Sequence, residues 1–559
     1  MRTERGLPAR RWLTVPAART VLGVIHNVTS ATRLLDVLQV FEADPRVRVV
    51  FTCTGSSAFE DGIAEFVSAH GLFFLPWESA LKERFDLAVS TSRGGNLEDI
   101  SAPLIGAPHG AGYNKKLSKN PESGIRNPES GAGAGAFGLT AEWLLHDGEV
   151  VPSVIVLSHE EQLARLGRDC PEALPYAHVV GDPVADELDA SDPFRADYRA
   201  AFGIGPEQKL LLITSTWGGD SLFGADIALV ERALAELPSD EFRVLAAVHP
   251  NAWYGHGEDQ IRRWLARALR AGLILPPPAG QGWKAALCAA DLYLGDHGSL
   301  SLYAAARGLP GVLAAFDDSA VAAGSAMAWL GGALPRLDPG RPLAAQLARA
   351  RTLPGAADRL TSRAGRAAAL LRVLCYRHLR LPEPEFPVVA RPVPLPEPAA
   401  ASPSPLVPAS YVSTAIGDRE VRVRRHPAEL QGRMTAHLGP DAHVTADAAE
   451  PDPRLRGMAD VLVARPGTDP AAVFARNSRC GLVVSGGRLR LRDGREFAVS
   501  GGAEPALAGS VLVALLGEGV EVEGEFGIRA GGVVSVARLA LVRDAGEADP
   551  GFLGADAPQ

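Results

Sequence analysis

The sequence predicts two Rossmann-like α/β domains facing one cleft, followed by a smaller α+β module, and three observations carry that expectation. Short Val/Ile/Leu-rich runs alternate with amphipathic stretches in two series, one from about residue 20 and one from about residue 195. A proline-crowded segment then separates both series from a strand-rich remainder. Five of the thirteen histidines stand where an apolar run ends: His26, His109, His159, His249 and His297. In parallel α/β sheets the carboxyl ends of the strands line the ligand crevice, so such a placement points to an enzyme with a polar substrate.

Residues 1–19 carry Arg2, Arg5, Arg10 and Arg11 but no clean apolar segment before a small-residue cleavage site, and read as a disordered tail rather than a signal peptide. The first domain spans 20–190. VLGVI leads into the helical SATRLLDVLQVFEAD, then VRVVFT, AFEDGIAEFVSAH, GLFFL, FDLAVS and APLIGA, with VIVLS and HVVGDP closing the half. Continuous apolar runs of this length between helices indicate parallel strands buried on both faces. The second domain spans 191–381, with KLLLITST, FRVLAAVHP, GLILPP, ADLYLGD and GVLAAF as its strands. Residues 382–409 form a Pro-rich, semi-rigid linker. Residues 410–545 read as the α+β module, its strands joined by Gly-rich turns, and 546–559 as a tail. An NPESG pentapeptide occurs at 120–124 and again at 127–131, as a duplicated surface loop or a lid over an acceptor site.

At 559 residues the chain exceeds what one core supports. A net charge of −9 argues against a general nucleic-acid binder. Five scattered cysteines without CxxC spacing support neither a disulfide framework nor a zinc site, and fit a reducing cytoplasm. No run reaches the roughly 20 apolar residues that span a bilayer, so any membrane association would be peripheral.

Two segments stand out chemically. Pro108-His109-Gly110-Ala111-Gly112-Tyr113-Asn114-Lys115-Lys116 follows a strand. Its histidine is placed to accept a proton from a hydroxyl, its lysines to bind phosphate or an anionic polymer. The alternative is a histidine bonded to a loop carbonyl beside a solvated lysine pair. Leu294-Gly295-Asp296-His297-Gly298-Ser299 joins a strand to a helix whose amino end favours phosphate, with Gly298 admitting the ligand and Ser299 capping or donating. The alternative is an ordinary cap, with Asp296 a structural anchor. Thr216-Trp217-Gly218-Gly219 and His249-Pro250 end two further strands of the second series.

In order, HG-x4-KK (109–116), GxPxxD (181–186), TW (216–217), HP (249–250) and DxxS (296–299) resemble the CDP-glycerol glycerophosphotransferase family of teichoic-acid primases and polymerases, which has a GT-B fold. The resemblance covers about residues 20–380. It implies that His109 is the general base, that His249 lies near the donor phosphates, and that Ser299 with the amides around Gly298 holds the donor pyrophosphate. Gly110, Lys115, Lys116, Thr216, Asp296 and His297 complete the expected binding set. Two departures are evident: Gly218 stands where the family has an arginine, and Gly295–Ser299 replaces a TDYSS-like motif.

The expected partners are a nucleotide-diphosphate donor and a polymeric or lipid-linked acceptor, with no nucleic acid, no metal and no separate cofactor. The expected location is cytoplasmic, with peripheral contact at the inner face of the membrane. The alternatives are a GT-B glycosyltransferase or sugar-nucleotide enzyme with a UDP-type donor, and a catalytically inactive GT-B-like binding protein.

Overall fold

The computed structural model describes residues 14–543 except 58–60, 117–134, 279, 397–407, 419 and 434–441. The NPESG repeat, most of the two tails and the end of the Pro-rich segment lie outside the described residues.

The apolar runs of the first series form a six-stranded parallel sheet. Its strands are β1 (Arg19–Ile25), β2 (Val47–Cys53), β3 (Leu87–Ser90), β4 (Leu104–Gly106), β5 (Val154–Leu157) and β6 (Ala177–Val179), in the order β2-β1-β3-β4-β5-β6. Helix α1 (Val28–Leu38) follows β1 and turns Val28, Ala31, Leu34 and Val37 into the core. The second series forms a four-stranded parallel sheet of β7 (Lys209–Ser215), β8 (Phe242–Val248), β9 (Leu292–Gly295) and β10 (Gly311–Leu313), ordered β8-β7-β9-β10. Both sheets are doubly wound, and their strand order reverses beside β1 and beside β7. Ligands bind at such switch points, outside the carboxyl ends of the strands.

Two expected strands are absent. GLFFL contributes one bridge, Phe74 to Phe51, and GLILPP one bridge, Ile274 to Leu245. Pro76 and Pro276 follow immediately, and a residue without an N–H cannot extend a ladder.

Helix α2 (Pro183–Ala190) connects the halves, α3 (Gly282–Ala289) and α4 (Ser299–Ala306) belong to the second, and α5 (Ala367–Leu379) returns to the first. Leu371, Leu374, Cys375, Tyr376 and Leu379 of α5 pack with Val21, Ile25 and Phe41 in the first core, so the chain crosses back over the cleft. Asp186 holds that return by accepting the Gly365 and Ala367 amides at 2.6 and 2.9 Å. The described part of the Pro-rich segment is pinned rather than spacing its neighbours apart. Val393 donates its N–H to Ser191 Oγ at 2.9 Å, and Arg46 donates to the Pro382 carbonyl at 3.0 Å.

The C-terminal module is a closed nine-stranded barrel. Its strands are β11 (Ser410–Ile416), β12 (Glu420–Pro427), β13 (His443–Asp447), β14 (Val461–Ala464), β15 (Leu482–Ser485), β16 (Arg488–Leu491), β17 (Glu496–Gly501), β18 (Gly524–Ala530) and β19 (Val533–Arg543). Helix α6 (Pro505–Gly517) adds Leu507, Val511, Leu512 and Leu515 to the barrel core. Arg425 grips Asp240 through Nε and Nη2 at 2.9 and 2.7 Å, and Leu430 enters the second domain's core. Asp240 precedes β8, so the barrel docks at the end of that sheet opposite the cleft.

A buried ion triple ties the halves at the cleft floor. Lys284 of α3 donates to Asp36 of α1 at 2.8 Å and to Glu187 of α2 at 2.6 Å. All three side chains are buried, and desolvation pushes the Glu187 carboxyl above its ordinary value. Removing one member of a buried pair leaves uncompensated charge. Lys284→Ala is therefore expected to lose about 3–5 kcal/mol in urea denaturation, whereas replacing all three by apolar residues of similar volume costs far less. A Lys284→Ala loss below about 1 kcal/mol would contradict this role.

Candidate functional site

A cavity of about 570 Å³ lies between the two domains and is walled by both. The first domain contributes Thr29, Thr32 and Arg33 from α1, Ser56 and Ser57 after β2, Thr91–Arg93 after β3, and the His109 loop after β4. The second contributes Thr216 and Trp217 after β7, His249 after β8, and Asp296–Leu300 from the turn after β9 and the start of α4. The fold thus brings together His109, Gly110, Lys115, Thr216, His249, Asp296, His297, Gly298 and Ser299.

Lys116 is the expected site residue that does not line this cavity. Its N–H donates to the Ala320 carbonyl at 3.0 Å, and the Ala322 N–H donates to the Asn114 carbonyl at 2.7 Å. These bonds flank an antiparallel bridge from Lys115 to Val321. Segment 114–116 is therefore stitched to the second domain, and alternation along this extended segment separates Lys116 from Lys115.

Asp296 also departs from the expected role. One carboxylate oxygen accepts the Thr216 and Leu222 amides at 2.7 and 3.0 Å, and the other accepts the Gly298 amide at 2.8 Å. Burial pushes this carboxyl up while the three amides hold it down. Its oxygens are spent on shaping two loops, so Asp296 is a positioning residue.

That loop brings Ser299 to the first position of α4, with Gly298 as the N-cap and no side chain capping the end. Ser299 faces the His109 turn so closely that a Cβ on Gly110 would lie 2.5 Å from Ser299 Oγ. A side chain at 110 would force the Ser299 hydroxyl to rotate away from this turn. Lys115 crosses the cleft, donating from Nζ to Thr216 Oγ1 at 2.7 Å and standing 5.2 Å over the Trp217 ring.

The histidines divide by which ring nitrogen the protein occupies. His249 Nδ1 accepts the Asn251 amide at 3.1 Å as the cap of its helix. A neutral imidazole with an acceptor Nδ1 carries its proton on Nε2 and donates from there. His297 Nδ1 faces the Asp317 amide at 3.4 Å, which favours the same tautomer. At His109 the Thr91 backbone favours the protonated ring but is outweighed, and a neutral imidazole keeps one ring nitrogen as an acceptor. Desolvation, then Lys115, lowers the His109 pKa to about 4, with Arg33 and His26 adding to the effect. Desolvation holds His249 well below its ordinary value too, helped by Lys115 and His109. Both rings are neutral at pH 7. His26 binds the Gly94 carbonyl at 2.6 Å and His159 Nδ1 accepts the Glu161 amide at 3.0 Å just before the helix Glu161–Asp169; neither lines the cavity.

Two arginines in the wall escape a reading of the sequence. Arg33 pairs with Asp182 at 2.9 Å, and its Nε donates to the Pro108 carbonyl at 3.3 Å, next to His109. Arg93 is buried, donates to the Tyr113 hydroxyl at 3.1 Å, and has no protein partner for Nε and Nη1. Arg33 sits in SATRLLDVL as a cation on the apolar face of a helix, and Arg93 follows the strand FDLAVS; those were the available signals. Among the described residues no cluster of His, Cys, Asp and Glu is arranged to hold a metal ion, and no helix is long and apolar enough to cross a membrane.

No family model matches the chain. A stretch is 31% identical over 163 residues to the lipid-A-disaccharide synthase of Ruegeria pomeroyi, covering 27% of this chain and 36% of that relative. The chain thus spans about a third of the length of this curated relative. Among solved structures, the wall teichoic acid polymerase TagF is 12% identical with a TM-score of 0.45, covering 65% of this chain and 89% of the other. The UDP-GlcNAc 2-epimerase of Methanocaldococcus jannaschii is 13% identical with a TM-score of 0.41, covering 64% of this chain and 99% of the other. Similarity this shallow assigns no activity to the chain, so any activity rests on the geometry of the cleft.

The depressed histidines carry a pH signature. A histidine whose folded pKa lies below its unfolded value binds a proton more readily when unfolded. His26 and His109, both lowered from 6.5 to about 4, therefore remove stability as pH falls through that window. The melting temperature is expected to drop by roughly 5 °C or more between pH 7 and pH 4.5, and by less in His109→Gln. An unchanged pH dependence in that variant would refute the burial of a neutral His109.

Proposed function

We propose that the chain is a transferase that moves a phosphoryl-linked group from a nucleotide-diphosphate donor to an acceptor hydroxyl. The observation that carries this reading is the facing of two unlike groups across one cleft. On one side is a neutral histidine with an acceptor nitrogen; on the other are the first turn of α4, Lys115 and a histidine aligned to donate from Nε2.

The first turn of α4, with Ser299, takes the diphosphate, because helix amino ends and their amides favour anions. Lys115 exchanges Thr216 Oγ1 for a phosphate oxygen. His249 Nε2–H donates to the same group and stabilises charge as it develops. The acceptor oxygen attacks the β-phosphorus, forming a new O–P bond. The bond from that phosphorus to the oxygen bridging it to the nucleoside monophosphate breaks, and the monophosphate leaves with the electron pair. His109 takes the hydroxyl proton. An anionic donor beside Lys115 offsets the cations that depress His109, so donor binding raises the basicity of the base it serves.

Within this class we favour a CDP-linked glycerol phosphate donor and a cell-envelope polymer or lipid-linked acceptor, on the motifs His109–Lys116, Thr216–Trp217, His249–Pro250 and Asp296–Ser299. The second reading is glycosyl transfer from a UDP-sugar, favoured by the 163-residue stretch shared with a lipid-A-disaccharide synthase. His109 would then deprotonate an acceptor that attacks a sugar carbon.

Calorimetric titration with CDP, CDP-glycerol, UDP and UDP-sugars separates the two. The first reading expects cytidine ligands to bind selectively and Ser299→Ala to weaken them about tenfold or more. His109→Ala should retain donor binding while turnover falls at least about 100-fold. Selective uridine binding would transfer the case to the second reading. Turnover unaffected in His109→Ala would remove the base from either.

A further inference from the structure

We infer that Phe137 and Trp143 form an aromatic platform for the ring of a pyranose acceptor; this rests on the transferase reading and names its acceptor class. The Phe137 ring lies 5.8 Å from the His109 ring, tilted by 57°, and Trp143 meets it edge-on at 4.5 Å. The Phe137 N–H donates to the Lys115 carbonyl at 2.8 Å, which ties the platform to the loop that carries the base. Both rings are part-exposed and line the cavity.

Neither ring belongs to a packed core. Their sequence neighbours Ala136 and Leu144 are buried in the apolar cluster beneath, with Tyr113, Leu139 and Ile155, whereas Phe137 and Trp143 lie outside that cluster and line the cavity. The first domain's side of the same cavity also carries the hydroxyls of Ser56, Ser57 and Ser92. An aromatic face in a cavity that also carries hydroxyls matches a molecule with a flat C–H face and a polar rim. A pyranose has both. A linear polyol phosphate has no such face, and the stacking of a ring on an aromatic side chain is worth about tenfold in affinity. Because the platform adjoins His109, the bound ring places a ring hydroxyl where its proton is taken.

The test is saturation-transfer NMR on the full chain with CDP present, using methyl β-D-glucopyranoside and glycerol 3-phosphate as probes. The glucoside ring protons should receive saturation, and glycerol 3-phosphate should receive much less. Phe137→Leu, which keeps an apolar side chain but removes the π face, should weaken the glucoside about tenfold and leave CDP affinity within about twofold. Trp143→Leu should act in the same direction. The platform is overturned if no glucoside signal appears or if glycerol 3-phosphate binds as well as the glucoside. It is also overturned if Phe137→Leu leaves the glucoside unchanged, or weakens CDP equally, which would make the rings a nucleobase site. If CDP fails to bind the unmodified chain, the nucleotide-transferase reading falls, while the glucoside signal and its loss in Phe137→Leu still decide the platform.

Discussion

A buried carboxylate, Asp182, joins the parts that make the cleft. It accepts from Arg33 of the first domain at 2.9 Å and from the Val184 and Ala185 amides at 2.9 and 3.3 Å. It also accepts the Tyr303 hydroxyl of α4 at 2.9 Å. A fully buried charge is tolerated only when its lone pairs are met this completely. Because the donors come from three elements, satisfying Asp182 fixes α1, the start of α2 and α4 relative to one another. The Lys284 triple ties α3 to α1 and α2, one turn further along each of those two helices. The wall that carries His109 and the wall that carries Ser299 are aligned by this shared floor.

The cavity so formed is electrostatically biased. Arg93 and Lys115 border it, while Arg33 is paired with Asp182, Asp36 with Lys284, and the Asp296 oxygens accept backbone amides. Positive potential here favours an anionic ligand, and it adds to the desolvation that keeps His109 and His249 neutral. The same field therefore prepares the donor site and leaves His109 able to accept a proton. His249 spends its Nδ1 on a helix cap, which leaves Nε2 to donate, while the neutral His109 ring keeps a nitrogen that can accept a proton.

The strands were legible where an apolar run was bounded by helices, as in VLGVI, VIVLS and KLLLITST. GLFFL and GLILPP misled because hydrophobicity alone does not report the proline that ends a ladder. His109, His249 and Ser299 were readable because strand ends mark the crevice in any parallel sheet. Lys116 and Asp296 were not separable from their neighbours, because which way a loop side chain turns depends on partners far away in the chain. Arg33 and Arg93 were hidden for the same reason: the groups that justify burying them are 149 and 20 residues away in sequence. Barrel closure was likewise out of reach, since β12 pairs with β18 across a long stretch of intervening chain.

The central claim is that this cleft holds a nucleotide diphosphate between α4 and the His109 loop. A crystal structure with CDP bound tests it most directly. The account predicts the diphosphate on the first turn of α4, within hydrogen-bond distance of Ser299, with Lys115 turned from Thr216 to a phosphate oxygen. CDP bound elsewhere, with Lys115 still donating to Thr216, would contradict it.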